Sequence, residues 1–371
     1  MNRVLWIDLI RVTGAFLVVM SHVSLRVAIE NGEGQRSLGW LVAECFHSLS
    51  YSIAVPLFLM VSGALLLERN VEMIPFYRKR FGKILLPFFA WSCVFLFCLW
   101  IAERPLRDGT PVTFFTSIGA LLSGNVNGHF WFMYMLVSLY LVVPFLSVFV
   151  RNAPKNVLIG FLMLWYFAVV IFPVINTLAQ DTLGITDIAG YSFVERGTVS
   201  YSVGFFIGGY VFKDVLLSKR WAIIAIVACL CLAMSPINLY LRLAYPDSTL
   251  AFLLTLLGKY VLTIVAHPVT MSLVAFLGLR SLGDLPALSA SRFSQAIVNF
   301  APLTFGIFLC HQIFVIPGME FGNTVYRLGT CTSGIVVLVA VPALTVFFYF
   351  VAAGVVYVIR RNRYLQALLA P

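Results

Sequence analysis

Asp8, Arg11 and His22 lie within the first apolar stretch of the chain, WIDLIRVTGAFLVVMSHVSLR. Charged side chains are costly inside a membrane and rarely face lipid, so they are candidates for function. Arg11 and His22 are eleven residues apart, and an α-helix would place both on one face, about 16 Å apart along its axis. An imidazole can act as a general base near neutral pH. A guanidinium can bind a phosphate or carboxylate, or pair with Asp8.

A second group of candidates opens a later apolar stretch, NGHFWFMYMLVSLYLVVPF, which contains His129, Trp131 and Tyr134. Tryptophan and tyrosine are typical of membrane interfaces, but that tendency does not explain His129. Further ionisable residues lie within or at the ends of other apolar stretches: Glu44, His47, Lys259, His267 and His311.

A cluster of cations lies in the sequence PFYRKRFGKILLPFFAW and consists of Arg78, Lys79, Arg80 and Lys83. Such a cluster can anchor the chain to lipid phosphates on the cytoplasmic side. It can also hold the phosphates of a cofactor that arrives from the cytosol. The spacing of the four residues leaves both interpretations open. The preceding stretch, VPLFLMVSGALLLER, contains Ser62 and Gly63, small residues that allow another helix backbone to approach.

The composition indicates what must position these residues. Of 371 residues, 61% are hydrophobic and only 11% are charged, against about 25% charged in an average soluble domain. The mean hydropathy is +0.97. This composition excludes a soluble enzyme and a disordered chain, because a folded soluble surface needs more polar cover. The seven cysteines form no C-x-x-C pair, so neither a metal site nor a disulfide framework is expected.

Ten apolar stretches approach the length of about 20 residues that a helix needs to cross a bilayer. They are 4–26, 44–67, 84–102, 130–150, 157–176, 199–212, 221–243, 252–279, 298–317 and 333–359. Alternate connections differ in Lys and Arg, with 16 of the 25 on the N-terminal side of the membrane and 7 on the other. The positive-inside rule then predicts that both termini are cytoplasmic. The same rule accounts for the net charge of +10, and no nucleic-acid partner is expected.

The fold class predicted from these patterns is an all-α, polytopic integral membrane bundle of about ten transmembrane helices. No long hydrophilic region and no fixed-period repeat interrupts the chain, so residues 1–371 are predicted to form a single domain. Its chemistry must then take place in or beside the bilayer.

The candidate residues resemble the membrane-bound acyltransferase-3 family, which includes O-acetyltransferases of bacterial surface polysaccharides. The resemblance covers about residues 3 to 318 and depends on the order and spacing of several patterns. They are the Arg11–His22 pair preceded by Asp8, the run PLFLMVSGALL, the basic pair Arg80 and Lys83, the opening HFWFMYMLVSLYLVVP, and the element GIFLCHQIFV. The family usually has two arginines in the basic pair. Lys83 keeps the charge but not the bidentate geometry.

The resemblance implies an O-acyltransferase in the bacterial cytoplasmic (inner) membrane. It would move an acetyl group from cytoplasmic acetyl-CoA to a hydroxyl of a surface polysaccharide or of a lipid-linked sugar such as O-antigen. His22 is then the candidate general base or covalent carrier, with Arg11, Asp8 and His129 as further catalytic candidates. The predicted acetyl-CoA contacts are Ser62, Arg78, Lys79, Arg80 and Lys83, and the predicted acceptor contacts are Trp131, Tyr134 and Glu195. A chain of this type would carry no extracytoplasmic hydrolase-like domain.

The competing hypothesis is a proton-coupled transporter, or a flippase of a lipid-linked saccharide. Histidines, an arginine and a lysine inside ten spans also suit such a carrier. Transporters often have paired halves, and the sequence contains no detectable internal repeat. The pattern therefore favours acyl transfer.

Overall fold

The structure is a computed structural model that describes residues 4–31, 37–69, 72–106, 108–184, 198–244, 249–315, 333–362, 365, 366 and 369. Within these ranges the chain forms helices and turns and contains no strand. The all-helical architecture predicted from the sequence is therefore confirmed.

The first half of the chain contains seven described helices. Two of them are continuous with a short 3-10 or π-helical turn. They are α1 (Leu5–Asn31), α2 (Leu38–Leu66), α3 (Met73–Ile101), α4 (Phe114–Ser123), α5 (Trp131–Asn152), α6 (Lys155–Tyr166, Phe167–Ile171 and Phe172–Leu183) and α7 (Thr198–Phe212). A 3-10 turn, Gly128–Phe130, leads into α5, and the middle part of α6, Phe167–Ile171, is a π-helical turn.

The second half contains eight more helices. They are α8 (Lys219–Leu232), α9 (Pro236–Ala244), α10 (249–265, with a π-helical turn at Leu257–Leu262), α11 (Pro268–Gly283), α12 (Pro286–Ser289), α13 (Arg292–Phe300), α14 (Thr304–Val315) and α15 (Gly334–Arg361). A 3-10 turn, Ala301–Leu303, joins α13 to α14.

Eight helical stretches of the described residues are long and apolar enough to cross a membrane, and the bent pair α10–α11 makes a ninth. They are Leu5–Ile29, Leu38–Leu66, Met73–Ile101, Phe114–Asn152, Lys155–Leu183, Lys219–Leu241, Arg292–Val315 and Gly334–Arg361, with Phe252–Val265 and Pro268–Gly283 as the pair. The predicted stretch 199–212 is a shorter apolar helix, Tyr201–Phe212. The chain is thus a multi-pass integral membrane protein, and the orientation of its termini stays a prediction.

Two of the differences from the predicted boundaries affect the candidate site. Helix α3 begins at Met73 rather than at residue 84, so the basic cluster lies on its first turns. Helix α4 lies within 103–129, which was predicted as a connection. Both differences arise because a search for 20 apolar residues misses polar first turns and helices too short to span. Helix α4 is instead recognisable by its cap, in which the Thr113 hydroxyl accepts a hydrogen bond from the Thr116 N–H at 3.2 Å.

Helix α1 lies at the centre of the bundle and packs against α2, α11, α14 and α15. Helices α2 and α7 approach so closely that a Cβ on Gly63 would overlap the backbone of Phe206, and a Cβ on Gly209 would overlap the backbone of Met60. Small residues permit this contact, as in other membrane bundles. Gly209 therefore packs within its own chain.

The α10–α11 span is bent by 47° at residues 266 and 267. Pro268 has no N–H to donate to the carbonyl of Ile264, four residues earlier. The Thr270 hydroxyl donates to that carbonyl instead, at 2.8 Å, and itself accepts a hydrogen bond from the Tyr166 hydroxyl at 2.9 Å. The bend is thus stabilised by side chains from α6 and α11, since no water is present in a bilayer core to satisfy the backbone.

Candidate functional site

Two cavities lie along α1, one near His22 and the other near Arg11. The histidine cavity has a volume of about 500 Å³, and three histidines line it: His22, His47 and His129. The cation cavity has a volume of about 260 Å³ and is lined by Arg11, Arg80 and Lys83 among others. The sequence predicted that Arg11 and His22 share one face of a helix. Each of them lines one of the two cavities.

The histidine cavity lies beside a cluster of three imidazole rings from distant parts of the chain. The ring of His311, on α14, is fully buried behind the cavity. Its centroid lies 5.2 Å from that of His22 and 5.3 Å from that of His129. The centroids of His22 and His129 are 6.4 Å apart. Helices α1 and α14 and the turn before α5 thus bring three possible proton acceptors together.

In three histidines at this site the ring nitrogen Nδ1 is hydrogen-bonded to an oxygen atom of the protein. The partners of Nδ1 are the carbonyl of Ser21 for His47 (3.1 Å), the side-chain oxygen of Asn127 for His129 (2.8 Å) and the carbonyl of Phe308 for His311 (2.8 Å). The Asn127 oxygen also accepts the backbone N–H of His129, at 3.2 Å, which fixes the orientation of that amide. Because an oxygen of this kind only accepts, Nδ1 carries the proton and Nε2 of each neutral ring holds a lone pair.

The cation cavity collects charged and hydroxyl side chains from four helices. Arg11 comes from α1, Ser62 from α2, Arg80 and Lys83 from α3, and Tyr140 from α5. Arg80 and Lys83 are three residues apart on a helix, so they lie on one face. Their neighbours Arg78 and Lys79 are exposed and do not line the cavity. The early start of α3 is therefore what directs two of the four cations inward.

An aromatic wall, formed by Phe132 and Phe308, lies between the cavities. Both residues line both cavities. Their ring centroids are 5.1 Å apart with an angle of 66° between the planes. Phe58 lies beside the wall, with its ring 6.5 Å from that of Phe132. The wall separates the histidines from the cations by one layer of rings.

The remaining predicted site residues have different positions. Trp131 lines the histidine cavity and is 47% exposed. Tyr134 lines neither cavity; its hydroxyl donates to the carbonyl of Leu121 on α4, and its ring packs on Phe88 at 5.1 Å. Asp8 is buried one turn before Arg11 and also lines neither cavity. Glu195 lies outside the described residues.

Three residues of the site are absent from the sequence-based selection: His47, His311 and Asn127. The signal for His47 and His311 was present, because each is an ionisable residue in an apolar stretch. Nothing in the sequence marks Asn127, which contributes through the position of its amide oxygen. Within the described ranges, no group of three or more His, Cys, Asp or Glu has a geometry that could hold a metal ion.

The bundle and its paired cavities define a helical membrane protein with a base cluster and a separate cation site. A family model described as "Acyltransferase domain" matches residues 4–361, nearly the whole chain. The chain belongs to this family, the membrane acyltransferase-3 family that the sequence motifs resemble, and it is an enzyme that transfers acyl groups. No curated protein matches the chain, and no solved structure matches it.

Proposed function

We propose that the protein is an O-acetyltransferase of the bacterial cytoplasmic membrane, and that residues 1–371 act as one domain. It takes an acetyl group from cytoplasmic acetyl-CoA and transfers it to a hydroxyl of a surface-polysaccharide or lipid-linked saccharide. The observation that carries this proposal is the pair of cavities along α1, one lined by cations and one by histidines, with a thin aromatic wall between them. Family membership favours acyl transfer over the transport hypothesis.

The cation cavity suits the acyl donor. Arg11, Arg80 and Lys83 supply positive charge, and Ser62 and Tyr140 supply hydroxyl groups. A volume of about 260 Å³ accommodates a narrow pantetheine arm, whereas the bulky nucleotide stays near the exposed Arg78 and Lys79. When bound, acetyl-CoA supplies an activated thioester. The chain supplies the charges that hold it and the opening that orients it toward the aromatic wall.

The histidine cavity suits the acceptor and the proton transfer. His22 lines the cavity. Once the thioester end of the donor lies between the rings of the aromatic wall, the imidazole of His22 takes the proton from the attacking hydroxyl and gives it to the sulfur that leaves. The new bond joins the hydroxyl oxygen to the acetyl carbon, and the bond that breaks is carbon–sulfur. His129, with Nδ1 held by Asn127, is next to the reaction and assists with the acceptor. Trp131 provides a ring on which a sugar can stack.

The test is acetyl-CoA binding to purified protein in nanodiscs, measured by isothermal titration for wild type, Arg80→Ala and Lys83→Ala. Each substitution removes a charge from the cation cavity and should weaken binding about tenfold or more, because hydrogen bonds to charged groups contribute about 1.5–3 kcal/mol. Arg78→Ala and Lys79→Ala should weaken binding less, because both side chains are exposed to water.

Lys155→Ala is the matched control, since Lys155 is an exposed cation at the start of α6 and does not line the cation cavity. Its affinity should equal that of wild type. Stable protein that does not bind acetyl-CoA, or that binds it equally well in all variants, would contradict the proposed donor.

A further inference from the structure

A third cavity lies on the flank of the bundle, between α9 and the bent α10–α11 span. Its volume is about 600 Å³, and its polar lining includes Ser235, Asn238, Lys259 and His267. We call it the lateral groove. Neither the acyl donor nor the proton transfer proposed above uses these residues, although they are polar groups in an otherwise apolar region.

A π-helical turn, Leu257–Leu262 of α10, forms part of the lining of this groove. The turn Leu257–Leu262 in α10 packs against the second half of α6, and the turn Phe167–Ile171 in α6 packs against 263–265. A π-helical turn widens a helix and is frequent at functional sites. Here the wide turn carries Lys259, whose ammonium donates to the Asp181 carboxylate at 2.6 Å. Tyr260 donates to the other oxygen of that carboxylate, at 2.7 Å.

The chemistry of the lateral groove suits an uncharged, hydroxyl-rich ligand. The positive charge of Lys259 is compensated by Asp181, and the side chains of the pair are 39% and 33% exposed. His267 accepts the backbone N–H of Val269 on Nδ1, at 3.2 Å, so Nε2 of its neutral ring carries a proton and donates. The groove lining offers the Lys259 ammonium, the imidazole N–H of His267 and the Ser235 hydroxyl to a polyol. Asp181, which does not line the groove, balances the charge of Lys259 and leaves no net charge for a phosphate.

The position of the lateral groove indicates where its ligand comes from. Exposed apolar side chains lie beside it: Leu239 is 38% exposed, Leu257 42% and Val261 49%. The groove therefore opens on a side of the bundle that faces lipid. At its other end Pro268 lines both the lateral groove and the histidine cavity. The lateral groove and the histidine cavity are therefore adjacent, with Pro268 between them.

We propose that the lateral groove binds the saccharide headgroup of a membrane lipid and is the acceptor-entry site of the enzyme. This inference rests on the acyl transfer proposed above and names its acceptor as a glycolipid rather than a free polysaccharide. The apolar chain of the lipid lies along the exposed face of α9 and α10, and the sugar lies against Ser235, Lys259 and His267, which line the groove.

Photo-crosslinking in nanodiscs tests this inference without any acyl donor. A benzoylphenylalanine at Leu239 should capture tritiated monoglucosyl diacylglycerol, whereas the same residue at Val339, which is 66% exposed on α15, should capture little. Lys259→Met should reduce capture at position 239 about tenfold, because it removes a charged hydrogen-bond donor. Ser235→Ala, which leaves the ion pair intact, should reduce it about threefold, in line with the loss of one neutral hydrogen bond.

Lys213→Met is the matched control, since it breaks a comparable ion pair of 2.8 Å, with Glu68, away from the groove. It should leave capture unchanged. Equal capture of tritiated phosphatidylglycerol would overturn the proposal, because it would indicate contact with lipid in general. Full competition by free maltotriose would also overturn it, in favour of a soluble acceptor. Glycolipid capture by a protein that does not bind acetyl-CoA would refute the proposed donor but would still support glycolipid binding in the lateral groove.

Discussion

At the scale of single residues, the histidines of the main site share a feature that prepares them for proton transfer. His47, His129 and His311 each direct Nδ1–H to an oxygen atom of the protein, so their Nε2 lone pairs are available. An imidazole whose tautomer is already fixed needs no rearrangement before it accepts a proton. His267 has the opposite arrangement, with Nδ1 as the acceptor, and it lines a different cavity. The tautomers of these four histidines thus separate three possible proton acceptors from one possible donor, His267.

We expect His22→Ala to reduce acetyl transfer by about 10²–10⁴-fold, the usual contribution of a positioned acid–base group. Acetyl-CoA affinity should stay at the wild-type level, because His22 lines the histidine cavity and not the cation cavity. Transfer is measured as radiolabelled acetyl in the lipid-linked saccharide fraction, and affinity is measured by titration of the same preparation.

A His22→Ala protein that transfers acetyl at nearly the wild-type rate would contradict this role and point to His129 as the base. Loss of both acetyl transfer and acetyl-CoA affinity would indicate a structural defect in the variant. Loss of transfer with wild-type affinity would exclude such a defect.

At the scale of helices, two features position the site. The first is the extension of α3 to Met73, which turns a basic segment into a helical face that carries Arg80 and Lys83 into the bundle. The second is the close contact of α2 with α7 at Gly63 and Gly209. Ser62 lines the cation cavity beside this contact, while Tyr201 and Ser202 of α7 line the histidine cavity. Separation of α2 from α7 would therefore change both cavities.

Gly209→Ala should destabilise the protein by about 1–3 kcal/mol, since a methyl group there must displace the backbone of Met60. The measurement is thermal unfolding of detergent-purified protein, and the midpoint should fall by several degrees. Gly160→Ala is the control, because nothing lies within 4 Å of a Cβ at that position on α6. That control should be neutral or slightly stabilising. An unchanged midpoint for Gly209→Ala would mean that the two helices are not in tight contact.

At the scale of the whole molecule, the sequence predicted the spans well because each requirement is local. A bilayer demands about 20 apolar residues in succession, and the described parts of the ten predicted stretches are largely helical. Three of them, 221–243, 252–279 and 298–317, are each divided between two helices, and 199–212 is shorter than a span. The Arg11–His22 spacing was readable for the same reason, since helix geometry relates residues eleven apart. The sequence also showed the basic cluster. Which of its cations face inward and which are exposed became clear only from the position at which α3 begins.

The histidine cluster could not be predicted, because it depends on contacts between distant segments. His22 and His311 are on the first and fourteenth described helices, and no sequence rule states that these helices pack together. Tyr134 was predicted as an acceptor contact, but it does not line the histidine cavity. Its hydroxyl instead donates to a carbonyl of α4, a helix that the search for apolar stretches missed.

The wall of Phe132 and Phe308 is expected to keep protons from leaking across the membrane through the two cavities. Each elementary charge that crosses a membrane at 100 mV releases about 2.3 kcal/mol, so two polar cavities joined end to end would short-circuit the proton gradient. We expect Phe132→Ala combined with Phe308→Ala to raise proton flux into proteoliposomes, read by an internal pH dye. Phe145→Ala, at an exposed site on α5, should not. Flux at the control level would show that other groups provide the insulation. If this prediction holds, the two phenyl rings block hydrated protons while they allow an acyl group to pass.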